Sequence, residues 1–397
     1  MFRPLGCPPS FFPALLACAT AAGCTSPPTE LPPLPSTGSG QFLAVATSDF
    51  QTGALHTIEL STLTVRRDID VVDAQPVVRT YGSKVYVLDQ THGTARAYDT
   101  AQEFANPTEL LLAKPPEVPA AQANPYDLYV DAAKNTAYVT LYGGFGSTAV
   151  TGATALGVID LLQPTAGIRS FIPLPVASGD TDNNPDATRL LACGDSLYVL
   201  LQDLDRTTYR PVGPGRLAVV SLSETRVRKT IQLAGENPTA LSVLPGCSEA
   251  IVGSAGDQLS GALSGRSGIE RVDLVGERSL GLVLRDSDLG GNVSTLEAVR
   301  GRDVFVDVSR RVGMNYENDV FLVDAVRGQR SQKLLGPLRY VPSLRVVGQR
   351  VIVLSAGSAG SGQLPPGIYI GPANGEALPT TPINLGLAPV STDLYTR

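Results

Sequence analysis

The sequence predicts an all-β fold, a seven-bladed β-propeller of four-stranded antiparallel blades closed by the C-terminal strand, and three observations carry that prediction. An inner-strand anchor recurs at Pro76, Pro125, Pro185, Pro238, Val293, Pro342 and Pro389. Its spacings of 49, 60, 53, 55, 49 and 47 residues belong to propeller blades rather than to helical solenoids. Each of the first six anchors is followed by an apolar Tyr-Val-type strand and then by a strand ending in Asp or a substitute, one supersecondary unit repeated. The composition, with 40 Gly, 31 Pro and only 17% charged residues, suits many short strands joined by tight turns.

A length of 397 residues favours two or three domains on size alone, but a closed ring absorbs that length in one unit. Residues 41–397 are therefore read as a single propeller domain. With 31 basic against 37 acidic residues the net charge is −6, so no basic stripe advertises nucleic acid and that partner class is excluded.

Residues 1–23 have the features of a targeting segment rather than of the fold. Arg3 supplies a positive start, Phe11 to Ala17 a short apolar stretch, and Ala21-Ala22-Gly23 the small residues a peptidase needs before Cys24. This resembles a bacterial lipoprotein signal and implies lipidation at Cys24, with Cys18 after Leu15-Leu16-Ala17 as the alternative. Residues 24–40 form a Pro/Gly/Ser-rich tether with too little apolar surface to fold. No other apolar run is long enough to span a bilayer. The expectation is an exported protein of the bacterial cell envelope, at the outer membrane or cell surface, anchored by acyl chains at about 0.8 kcal/mol per buried methylene.

Of five Cys, Cys193 and Cys247 fall in the body, at equivalent places in adjacent repeats, where a disulfide needs Cα atoms within about 7 Å. Third strands align at Ile58-Glu59-Leu60, Ala97-Tyr98-Asp99, Val158-Ile159-Asp160, Val219-Val220-Ser221, Arg271-Val272-Asp273, Leu322-Val323-Asp324 and Tyr369-Ile370-Gly371. From the second onward, their terminal Asp, Ser or Gly is turn chemistry. Outer strands such as Val65 to Val71 alternate with one charged face, whereas second strands such as Val85-Tyr86-Val87-Leu88 are continuously apolar, as stacking on both faces requires. The first repeat, from Gln41, lacks an inner strand, and Pro389 to Tyr395 is an inner strand with nothing after it. Joined, they close the ring and remove two open sheet edges.

The repeat pattern over residues 41–397 resembles the bacterial YVTN-type, lactonase-like seven-bladed propellers. Tyr138-Val139-Thr140-Leu141 is the nearest match to the namesake tetrapeptide, and Asn-Pro precedes inner strands at Asn124-Pro125, Asn184-Pro185 and Asn237-Pro238. The resemblance implies the fold class and leaves the activity open.

Long insertions at 142–155, 201–215, 253–268, 309–318 and 355–367 all join strand two to strand three, so they share one face. Binding residues concentrate on such loops, and Phe145, Tyr209, Arg210, Arg311 and Tyr316 are the candidates, since aromatic and Arg side chains carry interface energy. The expected partner is a protein, peptide or glycan bound by a monomer without catalysis. On the same face Asp180, Asp182, Asn184 and Asp186 alternate as oxygen ligands, a candidate Ca2+ loop lacking the Gly and distal Glu of the helix-loop-helix pattern; no other cofactor is indicated. His56 and His92 are the only two His, expected on loops or strand surfaces, too few for an imidazole-built metal site. No nucleophile elbow, paired-Cys spacing or phosphate loop occurs. The alternative reading is a metal-dependent lactonase-like hydrolase, with Asn124, Asp127, Asn184, Asp186, Asn237 and Asn292 ringing the channel mouth around a divalent ion.

Overall fold

The computed structural model describes residues 40–115, 118–119, 123–142, 155–205, 207–299, 302–313, 315–357 and 360–397. The proposed signal and residues 24–39 of the tether, with Cys18 and Cys24, lie outside them.

Seven antiparallel blades form a ring. The first is made of Gln41–Ser48, Gly53–Glu59 and Val65–Val72, with Ala388–Thr396 as its inner strand. The inner strands of the others begin the chain's successive blades at Pro76–Tyr81, Pro125–Asp131, Ala187–Cys193, Pro238–Val243, Asn292–Ala298 and Tyr340–Val347. Pro suits this position because an inner strand is a sheet edge, where a missing N–H costs no ladder bond.

Second strands are buried along nearly their whole length, as in Thr136–Leu141 and Ser196–Leu201. The cause is stacking of one blade on the next: Leu200, Leu217 and Val219 of the fourth blade pack with Ala250, Val252 and Val272 of the fifth. Contact is close enough that a Cβ on Gly253 would lie 2.5 Å from Val293 Cγ1 of the next blade.

Fourth strands vary. In the sixth blade Gln329–Arg330 and Leu335–Leu338 are two pieces that both pair with Asn315–Asp324. In the seventh the outermost position is reduced to a reciprocal pair of hydrogen bonds between Ile368 and Ile383, at 3.0 and 2.8 Å. Pro379 and Pro382 deny that segment the donors for a longer ladder.

Two expectations are corrected. Residues 309–318 are an extended β-hairpin rather than a loop: Asp303–Val312 and Asn315–Asp324 stay in register out to Val312↔Asn315, turning at Gly313, whose φ of 61° favours glycine. His56 is not at the surface. It is 1% exposed in Gly53–Glu59, because a strand covered by blades on both sides has no wet face. Its Nε2 is 2.9 Å from Thr47 Oγ1, Nδ1 accepts the Asp68 N–H at 3.2 Å, and burial pulls its pKa down to about 4.

Ring closure is a full antiparallel ladder from Gln41↔Thr396 to Ser48↔Ala388. Tyr395, 2% exposed, stacks on Phe42 at 5.3 Å and meets the ring of Phe104 edge-on at 5.8 Å. Away from the long-loop face, a disulfide joins Cys193 and Cys247 with Cα atoms 5.8 Å apart, tying the first turn of the fourth blade to that of the fifth.

Two measurements follow from these contacts. Tyr395→Ala empties a well-packed site and is expected to cost about 3–5 kcal/mol in urea unfolding; a cost below about 1 kcal/mol would show that closure is not held there. Replacing both Cys193 and Cys247 by Ser releases a constraint spanning 54 residues and should lower stability by about 2–4 kcal/mol, with no effect of reductant on the double variant.

Candidate functional site

An inner strand exposes backbone N–H groups on the side away from its blade, and in the second, fourth and sixth blades side chains of the preceding blade meet them. Ser391 Oγ accepts from Val78 N and Asp393 Oδ2 from Thr80 N, both at 2.9 Å. Asp127 Oδ2 accepts from Leu190 N at 2.9 Å, and Ser242 Oγ from Ala298 N at 3.0 Å. Polar groups are therefore required along an otherwise apolar inner ring.

The inner strands enclose a cavity of about 510 Å³ to which all seven contribute, among other residues Arg79, Asp127, Arg189, Ala240, Glu297, Arg345 and Asp393. Phe50 and Gln90, from connections between second and third strands, also line it, so it opens on the face that carries the long connections. Burial works against the charge on Arg79, but the bonded Asp127 carboxylate outweighs it and holds the guanidinium above its ordinary value. Arg345 lies 3.3 Å from Glu297 and 3.8 Å from Asp393. Burial raises the Glu297 carboxyl, and Arg345 draws it part of the way back. Arg189 stands over the ring of Tyr126 at 5.7 Å; burial lowers its pKa and the charges of Arg79 and Arg345 add to the effect. Tyr340, on the same wall, is pushed up by burial.

Of the six residues expected to ring the mouth, only Asp127 lines this cavity, and there it is committed to Arg79, Leu128 N and Leu190 N. Asn124 and Asn237 have φ of 40° and 51°, turn conformations, and Asn237 Nδ2 donates to Gly256 O at 3.0 Å. Asn292 sits in the strand ladder opposite Ser309. Asn184 donates to Tyr142 O at 3.2 Å and to Asp186 Oδ1 at 3.0 Å, while Asp186 Oδ2 accepts from Leu204 N at 2.8 Å.

The 180–186 segment is a chain of side-chain turns. Asp180, Asp182 and Asn184 each accept the backbone N–H two residues on, at 3.1, 2.8 and 3.1 Å. The second oxygens of Asp180 and Asp182 are buried without a partner. Burial, together with the charges of Asp182 and Asp203, pushes the Asp180 carboxyl up to about 6. A different set was missed in the sequence: His92 Nδ1 lies 2.8 Å from Oδ2 of both Asp73 and Asp89, an ion-paired turn on the same face with His92 exposed.

Among the loop residues singled out, Phe145 lies outside the described residues, and three others brace the rim. Arg210 pairs with Asp257 at 3.5 Å, Arg311 donates to Leu259 O at 3.1 Å, and Tyr316 Oη donates to Gln258 O at 3.3 Å. Gln363 in turn donates to Tyr316 O at 3.1 Å, so the connections around 205–210, 257–259, 311–316 and 363 form one linked wall. Tyr209 is half-buried beside them with φ of 54°. The channel charges went unnoticed in the sequence, although a signal existed: Arg79, Arg189, Glu297, Arg345 and Asp393 stand three or four residues after an anchor, where an inner strand otherwise reads as apolar or small.

No family model matches the chain, and no curated protein matches it. Among solved structures, a functionally unknown protein from Desulfotomaculum acetoxidans is 12% identical with a TM-score of 0.56, over 90% of this chain and 99% of that one. Hydrazine synthase of Kuenenia stuttgartiensis is also 12% identical, with a TM-score of 0.51 over 75% of each chain. AztD of Citrobacter koseri is 11% identical with a TM-score of 0.48, over 90% of this chain and 98% of that one. At such identities the likeness shows the fold alone.

The Asp180 carboxyl makes a pH prediction with a definite sign. Its folded pKa of about 6 exceeds the ordinary 3.8, so the native state keeps a proton that the unfolded chain releases. That contribution is complete below pH 3.8 and disappears as pH rises through 6. Asp180→Asn, which retains the oxygen that caps Asp182 N, should flatten this part of the Tm-versus-pH curve and raise Tm at pH 7. Calorimetry across the interval checks it, and an unchanged slope counts against it.

Proposed function

We propose that this chain is a non-enzymatic binding module of the bacterial envelope, held by a lipid on Cys24, which takes its ligand at the channel mouth on the long-connection face. One observation carries the reading: a cavity of about 510 Å³, walled by all seven inner strands and lined by charged side chains of both signs and tyrosines. That volume lies in the range of about 300–1,000 Å³ typical of small-molecule sites. The ligand is a small molecule, or the end of a peptide or glycan that the braced rim admits. Export and anchoring rest on the resemblance of residues 1–23 to a lipoprotein signal; among the described residues no helix is long and apolar enough to cross a membrane.

Binding is favoured over hydrolysis by the state of the channel groups. A lactonase-like site needs carboxylate and amide oxygens free to hold a divalent ion. Here Asp127 is spent on Arg79 and two backbone donors, Glu297 and Asp393 face Arg345, and the amides at the blade entrances satisfy turns. Three guanidinium groups in the same cavity also oppose a divalent cation.

Incubating the full chain with a small-molecule extract of bacterial envelopes, followed by native mass spectrometry, tests the proposal. A retained species released with unchanged mass is the expected result. Release of a product heavier by one water, or no retained species, would overturn it.

A further inference from the structure

Three arginines enter the channel and their circumstances differ. Arg79 bonds to Asp127 and to Val78 O. Arg345 is shared by Glu297 and Asp393, so that part of the wall carries a surplus negative charge, although Arg345 Nε is itself buried without an acceptor. Arg189 has neither a hydrogen bond nor an ion pair among the described residues; its one close partner is the face of Tyr126. A guanidinium has five N–H donors in a planar fork and does not shed its charge at any accessible pH. Half-buried in the channel wall with no bonded anion, and with only the through-space attraction of Asp127, whose oxygens are already taken, the Arg189 fork is left for a partner from outside the chain.

The neighbourhood selects what that partner is. Arg79 and Arg345 add positive potential at Arg189, opposed by the Asp127 carboxylate that is itself bonded to Arg79; with the Arg189 charge included, this side of the cavity favours one anionic group over a cation. Glu297 and Asp393 across the cavity disfavour a polyanion. Tyr126 and Tyr340 offer aromatic wall beside the guanidinium, suited to a flat or apolar body.

We propose that the channel binds a small organic anion whose single carboxylate or phosphate group docks on the Arg189 fork, with its body against Tyr126 and Tyr340. This rests on the reading of the channel mouth as the ligand site. A fork-to-oxyanion contact is bidentate, which gives orientation as well as attraction. Lys in place of Arg would keep the charge and lose the fork.

Titration calorimetry on the full chain with benzoate, phenyl phosphate, neutral benzamide and cationic benzamidine tests it. Both anions are expected to bind more tightly than benzamide, benzamidine least; whichever anion binds better identifies the carboxylate or phosphate source. Arg189→Gln should weaken the anions by about tenfold or more and leave benzamide unchanged. Its Tm without ligand should not fall, since no internal ion pair is lost, which separates lost recognition from lost folding. Arg189→Lys should recover only part of the affinity. Anions no tighter than benzamide, or unaffected by Arg189→Gln, would overturn the assignment. If benzamide alone binds, the anion assignment falls while the channel-mouth reading stands. If no probe binds, the assignment falls and the extract experiment decides the reading.

Discussion

The structure depends on one pairing: Ala388–Thr396 laid antiparallel against Gln41–Ser48. Without it the first blade would lack an inner strand and the ring would expose two hydrogen-bonding edges to other chains. The ladder is reinforced at several levels. Thr392 Oγ1 donates to Ala44 O at 2.8 Å, Tyr395 stacks on Phe42, and Ser391 and Asp393 accept backbone donors from the second blade. The contacts join residues more than 300 positions apart, so all seven blades must be present before they form, and their loop-closure cost has to be met by the burial they permit.

The same requirement makes the centre polar. Inner strands are sheet edges, and edges need acceptors, so Ser391, Asp393, Asp127 and Ser242 reach across to the next blade. Once carboxylates are placed there, guanidinium groups follow to balance them, as Arg79 does for Asp127 and Arg345 for Glu297 and Asp393. Arg189 breaks the pattern, and its lack of a bonded carboxylate among the described residues is the feature the structural role of the channel does not explain. Function is read from that exception rather than from the scaffold.

Much of the fold was legible because it is repeated. Anchor spacing, apolar second strands and third strands that mostly end in Asp, Ser or Gly each report a local rule that the repeats reinforce. The hairpin at 309–318 escaped because Arg and Asn interrupt its alternation; its strands are recognisable through register with each other, as in Arg311↔Tyr316. His56 escaped because its burial comes from blades on both sides, a property of stacking and not of its neighbours in sequence. The loop candidates Arg210, Arg311 and Tyr316 have residue types suited to binding, yet in the structure those groups join neighbouring connections. Residue type records capacity for a contact, and only position decides which contact is made.

The sequence by itself determined the number of units, their order, the turn chemistry and the shared direction of the long connections, because these follow from backbone conformational preference and hydrophobic period along a contiguous stretch. Tertiary structure alone decided which charges converge. Arg79, Asp127, Arg189, Glu297, Arg345 and Asp393 come from six inner strands spread over most of the chain and meet only when the ring closes. Coulomb energy depends on separation in space, and no property of a local window encodes that distance.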